Sequence, residues 1–463
     1  MPVPIVPHAG LLTYLYELTM SAAYWKAGKS DEVATFELSV RSIPVQRSFL
    51  LAAGLEQAVE YLQQLSFSGE EIEFLRKHPS FESVPGGFFD FLRELRFTGT
   101  VWAVPEGSLV FAEEPLLRIT APIVQAQIAE TYLMAMLTYQ TSVATKAARV
   151  VEAAGGRGVV EFGTRRAHGP VAGLLAARAS YVGGCLGTSN TLAGFELGIP
   201  IYGTTAHSWT MSFEDEAESF RKFAELYGSK AVLLVDTYDS IEGVKKALRL
   251  GLPFRGVRLD SGNFLEISRE VRKLLDAAGR SDALILASGD LNEYVIRTLA
   301  EQAAPIDLFG VGTDLVTSRD APSLSGIYKI VEIESKGKVR YTAKFSESKI
   351  SYPGKKQVFR FSGTDGSYEH DVLGLASENF AGSETLLQPV IEAGKLVKPL
   401  PTLAQVRERT MGSLARLPEP FRRLAGSHAY PVKKSAALES LLESVRGRYA
   451  PLPAGAGRTG AAH

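Results

Sequence analysis

Between residues 158 and 316 the chain repeats one pattern. Short apolar runs (GVVEF, IPIYG, KAVLLVD, FRGVRLD, DALILAS and PIDLFGVG) are each followed by a helix-like stretch, and the later ones start roughly every 20–30 residues. Such a cadence calls for parallel strands joined by helical crossovers, which restricts the fold to a doubly wound sheet or a closed α/β barrel. The polar residues arbitrate between these. The six runs end in Thr164, Arg165 and Arg166; in Thr204, Thr205 and His207; in Asp236; in Arg258, Asp260 and Ser261; in Ser288, Gly289 and Asp290; and in Gly312, Thr313 and Asp314. A doubly wound sheet gathers ligands mainly at one switch point, whereas a barrel converges all its βα loops on one mouth. The even spread predicts an irregular TIM-like α/β barrel of about seven strands.

The flanking segments read differently. Residues 11–65 read as helix, then a strand near Ala34 to Val40, then a helix over residues 50–65; residues 99–121 alternate β-rich runs with proline and glycine, as antiparallel sheet does. Residues 123–154 read as one long buried helix, interrupted by Gln125, Gln127, Glu130, Lys146 and Arg149. After Val316, YKIVEIESKGKVRYTAKFS returns to hairpin signals, with helices near residues 403–415 and 435–446. The expected organisation is a discontinuous α+β sandwich domain (residues 1–122 and 326–449) around a barrel (residues 123–325). A Gly/Ala/Pro-rich tail, residues 450–463, is expected to be disordered.

Fifty Lys plus Arg oppose 51 Asp plus Glu, for a formal charge of -1. No global positive field gathers nucleic acid or anionic lipid, so an anionic ligand must be held locally. The single cysteine, Cys185, excludes an intramolecular disulfide and a Cys-based zinc site, which fits a reducing compartment. The N-terminus carries no signal-peptide pattern and no stretch is apolar enough to span a bilayer, so a cytoplasmic protein is expected.

His207, at a strand's C-terminal end among hydroxyls, is the first candidate catalyst. Asp236 ends the next strand. A carboxylate on one imidazole nitrogen would fix the tautomer and strengthen the other as a nucleophile for phosphoryl groups, although Asp236 serves equally as an N-cap for a helix starting near Asp239. Arg258 and Asp260, two apart on a strand, share a face, with Arg258 suited to an anion and Asp260 to a sugar hydroxyl or a metal; a salt bridge between strands is the competing reading. SGDLN and GVGTDL place small residues and backbone N–H groups where barrels often bind phosphate. No P-loop and no strand-linked GxGxxG is present, so a nucleotide must use the barrel mouth.

YLYELTM, AAGLE, EGSLVFAEEPLLRI, ATKAAR, EFGTRRAHGP, GTTAHSW, VDTYDS, VRLDSG, GVGT and KFSESKISYPGKKQVFR occur in that order along residues 11–409. Through this ordered set the chain resembles the nicotinate phosphoribosyltransferases. The resemblance implies a type II phosphoribosyltransferase fold that joins nicotinate to 5-phosphoribosyl 1-diphosphate. ATP hydrolysis assists as a co-reaction, Mg2+ is the cofactor, and the active unit is a homodimer with shared sites. It further implies that His207 is the phosphorylated histidine with Asp236 as its partner, and that Tyr16 stacks on the pyridine ring from the neighbouring subunit. Thr204 and Arg258 would line the nicotinate site, Arg165 would contact substrate, and Ser288, Gly289, Gly312 and Thr313 would hold the 5′-phosphate. Asp260 suits the developing positive charge at C1′. Metal ligands are not identified by the resemblance. Two positions depart from the family pattern: Tyr14 and Asn263 stand where Asp is usual. An acid near the ring would favour an amide over a carboxylate, so Tyr14 is compatible with nicotinate. The rival readings are a nicotinamide phosphoribosyltransferase and a non-catalytic paralogue, with a decarboxylating quinolinate enzyme further off.

Overall fold

The structure, a computed structural model, describes residues 8–346, 350–424 and 428–448. The expected tail, residues 450–463, lies outside the described residues.

The repeating segment forms a six-stranded, wholly parallel sheet: β1 (Gly158–Glu161), β2 (Gly187–Thr188), β3 (Val232–Leu234), β4 (Gly256–Leu259), β5 (Leu284–Ser288) and β6 (Leu308–Val311). In space the order is β2-β1-β6-β5-β4-β3. Helices Ser240–Arg249, Phe264–Ala277 and Glu293–Glu301 link β3 to β6. Strand periodicity sorts the side chains. Val257, Leu259, Ile285, Ala287, Phe309 and Val311 join one buried apolar core with helix residues such as Val244, Val271 and Ile296. Arg258, between two of them, is turned to the opposite face.

Among the described residues the IPIYG run makes a single isolated bridge, Ile201 to Thr188 of β2. Pro200 has no N–H to donate, so the ladder is limited to Thr188 N–H donating to the Pro200 carbonyl (3.0 Å) and Tyr202 N–H donating to the Thr188 carbonyl (2.9 Å). Among the described residues no strand ladder joins this segment to β3, so backbone pairing gives an α/β sheet of six strands rather than the closed ring of about seven.

A seven-stranded antiparallel sheet packs elsewhere, in the order Lys338–Tyr341, Gly326–Ser335, Val33–Val40, Pro115–Pro122, Thr100–Ala103, Gln388–Glu392, Lys395–Leu396. Its core combines Leu38, Leu117 and Ile119 with helix residues Val59, Leu62 and Phe88. A four-stranded sheet takes Lys356–Ser362 and Tyr368–Leu375 as its centre. Two expectations about helices need correction. Residues 50–65 begin with a strand, Leu50–Leu51, paired to Leu109–Val110; the helix, Leu55–Gln64, starts only after Gly54, whose φ of 99° no helical residue adopts. The long apolar stretch is two helices, Ile123–Ile128 and Glu130–Ala153, meeting at Ala129.

Candidate active site at the C-terminal ends of the parallel strands

Arg258 is the hub. Its Nε donates to Ser288 Oγ (2.7 Å), one terminal nitrogen to Thr204 Oγ1 (2.9 Å) and the Thr205 carbonyl (3.4 Å), and the other to Asp260 Oδ1 (2.6 Å). Its guanidinium carbon lies 5.7 Å from the centre of the Phe162 ring. The fork thus joins β4 to the end of β5 and to the segment after Ile201. Arg258 and Asp260 form an ion pair at the end of one strand, not between strands, and face a cleft lined by Phe162, Thr164, Arg165, Ser189, Thr204, His207, Arg258 and Asp260.

Asp260 accepts from Ser288 Oγ through Oδ1 and turns Oδ2 toward His207 Nε2 at 3.6 Å. Partial burial alone would raise its carboxyl, but the Ser288 hydroxyl, Arg258 and His207 outweigh that and hold it below the ordinary carboxylate range. Asp260 is therefore an anion at neutral pH. His207 does not sit on a strand. It is the first residue of the short helix His207–Met211, capped by Ala206, and its ring Nδ1 is 3.2 Å from Thr237 Oγ1.

Asp236 is not in contact with that ring. Its Oδ2 accepts from the Asp260 N–H (2.9 Å) and from Ser261 Oγ (2.8 Å), which fixes the Asp260–Ser261 turn, so the carboxylate facing His207 is Asp260 and the expected direct pairing with Asp236 is corrected. Nor is Asp236 an N-cap: Asp239 caps Ser240–Arg249 by accepting from Glu242 N–H. Asp236 Oδ1 is buried without a hydrogen-bond partner. Asn263 has a local task in place of the usual acid, capping Phe264–Ala277 through the Glu266 N–H.

At the ends of β5 and β6 the expected turns are present. Gly289 has φ 95°, and a Cβ there would fall 2.0 Å from the Asp260 carbonyl oxygen, so two strand ends approach closely only because this residue is glycine. Gly312 caps the one-turn helix Thr313–Val316. The Ser288 hydroxyl accepts from Arg258 and donates to Asp260. Arg165, in the turn Thr164–Arg166, is exposed at the cleft. Tyr16 is outside the cleft lining. It lies 48% exposed on helix Leu15–Lys26, stacked on Tyr14 with ring centres 5.6 Å apart. Burial, Glu130 and Glu17 push its hydroxyl up to about 12.

Sequence reasoning passed over two members. Thr237, which holds the His207 ring, directly follows Asp236 in VDTYDS and was readable as one more hydroxyl at a strand end. Phe162, beneath Arg258, looked like an ordinary end to GVVEF.

Three family models cover most of the chain. The nicotinate phosphoribosyltransferase N-terminal domain matches residues 11–138, the nicotinate phosphoribosyltransferase family model residues 158–365, and the C-terminal domain residues 379–442. A Mycobacterium tuberculosis nicotinate phosphoribosyltransferase, pncB2, is 43% identical over 95% of this chain and 94% of its own length. This chain belongs to the nicotinate phosphoribosyltransferase family. A family member from Bacillus subtilis is 37% identical over 92% of each chain. The crystal structure of human nicotinic acid phosphoribosyltransferase superposes with a TM-score of 0.83 at 32% identity, covering 94% of this chain and 100% of that one. The structure of nicotinate-nucleotide pyrophosphorylase from Pyrococcus furiosus gives a TM-score of 0.72 at 26% identity, over 90% and 99%. Among the described residues no helix is long and apolar enough to cross a membrane.

Proposed function

We propose that this protein joins nicotinate to 5-phosphoribosyl 1-diphosphate in NAD salvage in the cytoplasm, releasing nicotinate mononucleotide and pyrophosphate, and that it couples transfer to ATP hydrolysis through phosphorylation of His207. The observation that carries the reading is the cleft itself: in a chain of this family, His207, Asp260, Arg258, Thr204 and Arg165 come from three separate segments and line one hollow.

The chemistry follows from their placement. Departure of pyrophosphate leaves positive charge spread over C1′ and the ring oxygen of the ribose, and the ionised Asp260 is the carboxylate placed to stabilise it. Arg258 and Thr204 present donors to the nicotinate carboxylate, Arg165 offers a further cation at the rim, and the turns at Gly289 and Gly312–Thr313 suit the 5′-phosphate. Thr237 restrains Nδ1 of His207, leaving the ring edge beside Asp260 to take the γ-phosphoryl group of ATP as ADP departs. Among the described residues no group of three or more His, Cys, Asp or Glu stands ready to hold a metal. Mg2+ binds readily to one or two carboxylates plus substrate phosphates, a mode that the unpartnered Oδ1 of Asp236, with Asp260, fits. Mg2+ bound there would neutralise diphosphate charge.

The link from Arg258 on β4 to Thr204 and Thr205, at the far side of the sheet order, supports a barrel curled until its two edges are neighbours. The same reading places a second copy over the cleft, its exposed Tyr16 stacking on the pyridine. His207→Ala is the test: pyrophosphate release with nicotinate continues at a basal rate while ATP hydrolysis and ATP stimulation vanish. Full ATP coupling in that variant would overturn the phosphohistidine assignment, and turnover of nicotinamide in preference to nicotinate would overturn the substrate.

A further inference from the structure

Behind the two glycine turns lies a buried cluster of six charges that none of the proposed chemistry uses. Lys146, on helix Glu130–Ala153, is 1% exposed, and its Nζ reaches Glu293 Oε2 (2.6 Å), Asp320 Oδ1 (3.1 Å) and Asp314 Oδ1 (3.2 Å). Arg149 approaches the other oxygen of Glu293 (3.3 Å), and Arg47 grips both oxygens of Asp320 (2.9 and 3.0 Å). Three cations thus face three carboxylates.

The carboxylates are not placed at random. Glu293 opens the helix that follows the Gly289–Asp290 turn, and Asp314 is the second residue of the helix that Gly312 caps. One ammonium therefore ties both turns to a helix from outside the parallel sheet. Asp320 extends the tie to Arg47, which also binds Ser318 Oγ (2.6 Å) and so braces a residue held at φ 46°. Burying paired charges adds little net stability, since desolvation cancels most of the attraction; what such a cluster does supply is fixed geometry.

We infer that Lys146 is a positioning residue that fixes the spacing of the Gly289 and Gly312–Thr313 turns, and thereby sets affinity for the phosphorylated sugar without touching it. The inference rests on the reading of those turns as the 5′-phosphate site. Replacing Lys146 by Met removes the one cation shared by both turns, leaving Glu293 to Arg149 and Asp314 to the exposed Arg319. A displacement of about 1 Å at such a site is worth on the order of tenfold or more.

The experiment compares the full-length protein with Lys146→Met and with Asp314→Asn, whose carboxylate is already 13% exposed and whose loss is the milder insult. Binding of 5-phosphoribosyl 1-diphosphate is followed by calorimetry, and KM for nicotinate by pyrophosphate release. The expected result is a Kd for the phosphorylated sugar raised about tenfold or more in Lys146→Met, and in the same direction in Asp314→Asn, with KM for nicotinate changed less than about twofold. A lower fraction of active protein with an unchanged Kd would make the cluster merely structural and overturn the inference; if Lys146→Met does not fold, an unchanged Kd in Asp314→Asn does the same. Unmodified protein that binds the sugar but forms no nicotinate mononucleotide would sink the proposed reaction alone, and absence of binding would sink both.

Discussion

Arg258→Lys keeps the charge of the hub and removes its shape. The native fork makes four polar contacts: an ion pair to Asp260 at 2.6 Å and donations to Ser288 Oγ, Thr204 Oγ1 and the Thr205 carbonyl at 2.7, 2.9 and 3.4 Å. A lysine ammonium is a single point on a flexible stem. It can follow Asp260 but cannot also span the distance to Thr204, so about two hydrogen bonds from a charged donor are lost. Each is worth about 1.5–3 kcal/mol where water cannot substitute. The side chain is 16% exposed, so water recovers part, and a net loss of about 2–3 kcal/mol is a reasonable figure. Since about 1.4 kcal/mol is tenfold in rate, kcat/KM for nicotinate should fall about 30- to 150-fold, measured as pyrophosphate release over a range of nicotinate concentrations. Urea midpoints measured in parallel separate this from unfolding. A folded Arg258→Lys protein within threefold of native kcat/KM would refute the view that the fork, rather than its charge, organises the cleft.

Gly289→Ala puts a Cβ against the Asp260 carbonyl at a left-handed φ, so it should cost at least about 2 kcal/mol in urea unfolding and weaken 5-phosphoribosyl 1-diphosphate binding; a native midpoint would contradict the close approach. Glu17, buried and beside Glu130, has its carboxyl raised by burial from 4.5 to about 7, with Oε2 unpartnered. Folding therefore favours its acid form: the contribution is complete below about pH 4.5 and is lost as pH rises through about 7. Glu17→Gln should flatten the fall in stability between pH 5 and 8 by about 2 kcal/mol, the remaining slope coming from groups such as Glu60, which is also raised to about 7. Equal slopes in the two proteins would show Glu17 to be ionised throughout.

Much of the cleft could be read from residue spacing because strands have period two. Arg258 and Asp260 had to share a face, and a run of strand ends carrying Thr, Asp and Gly had to meet along one edge of a parallel sheet. The partner of His207 could not be read that way. Thr237 brings the segment after β3 to the His207 ring, but which carboxylate turns to that ring depends on Asp236 first satisfying the Asp260 N–H and Ser261. Pro200 was visible in IPIYG, yet its effect, one bridge in place of a strand, emerges only when the ladder is counted bond by bond. Lys146 was visible as well, as an interruption in an apolar helix. Its three carboxylates lie 147, 168 and 174 residues further on, at Glu293, Asp314 and Asp320, and no local pattern announces a meeting across such separations.

The missing ladder beyond Ile201 leaves the residues just before His207 moored chiefly by a guanidinium. A backbone seam is indifferent to what occupies the hollow beside it, but a side-chain mooring is not. In the proposed reaction, an anion that takes an N–H of Arg258 from Thr204 or Thr205 would loosen the segment two to three residues before the histidine. Occupancy of the cleft and the aim of the imidazole would in this way be coupled through the four contacts of one side chain.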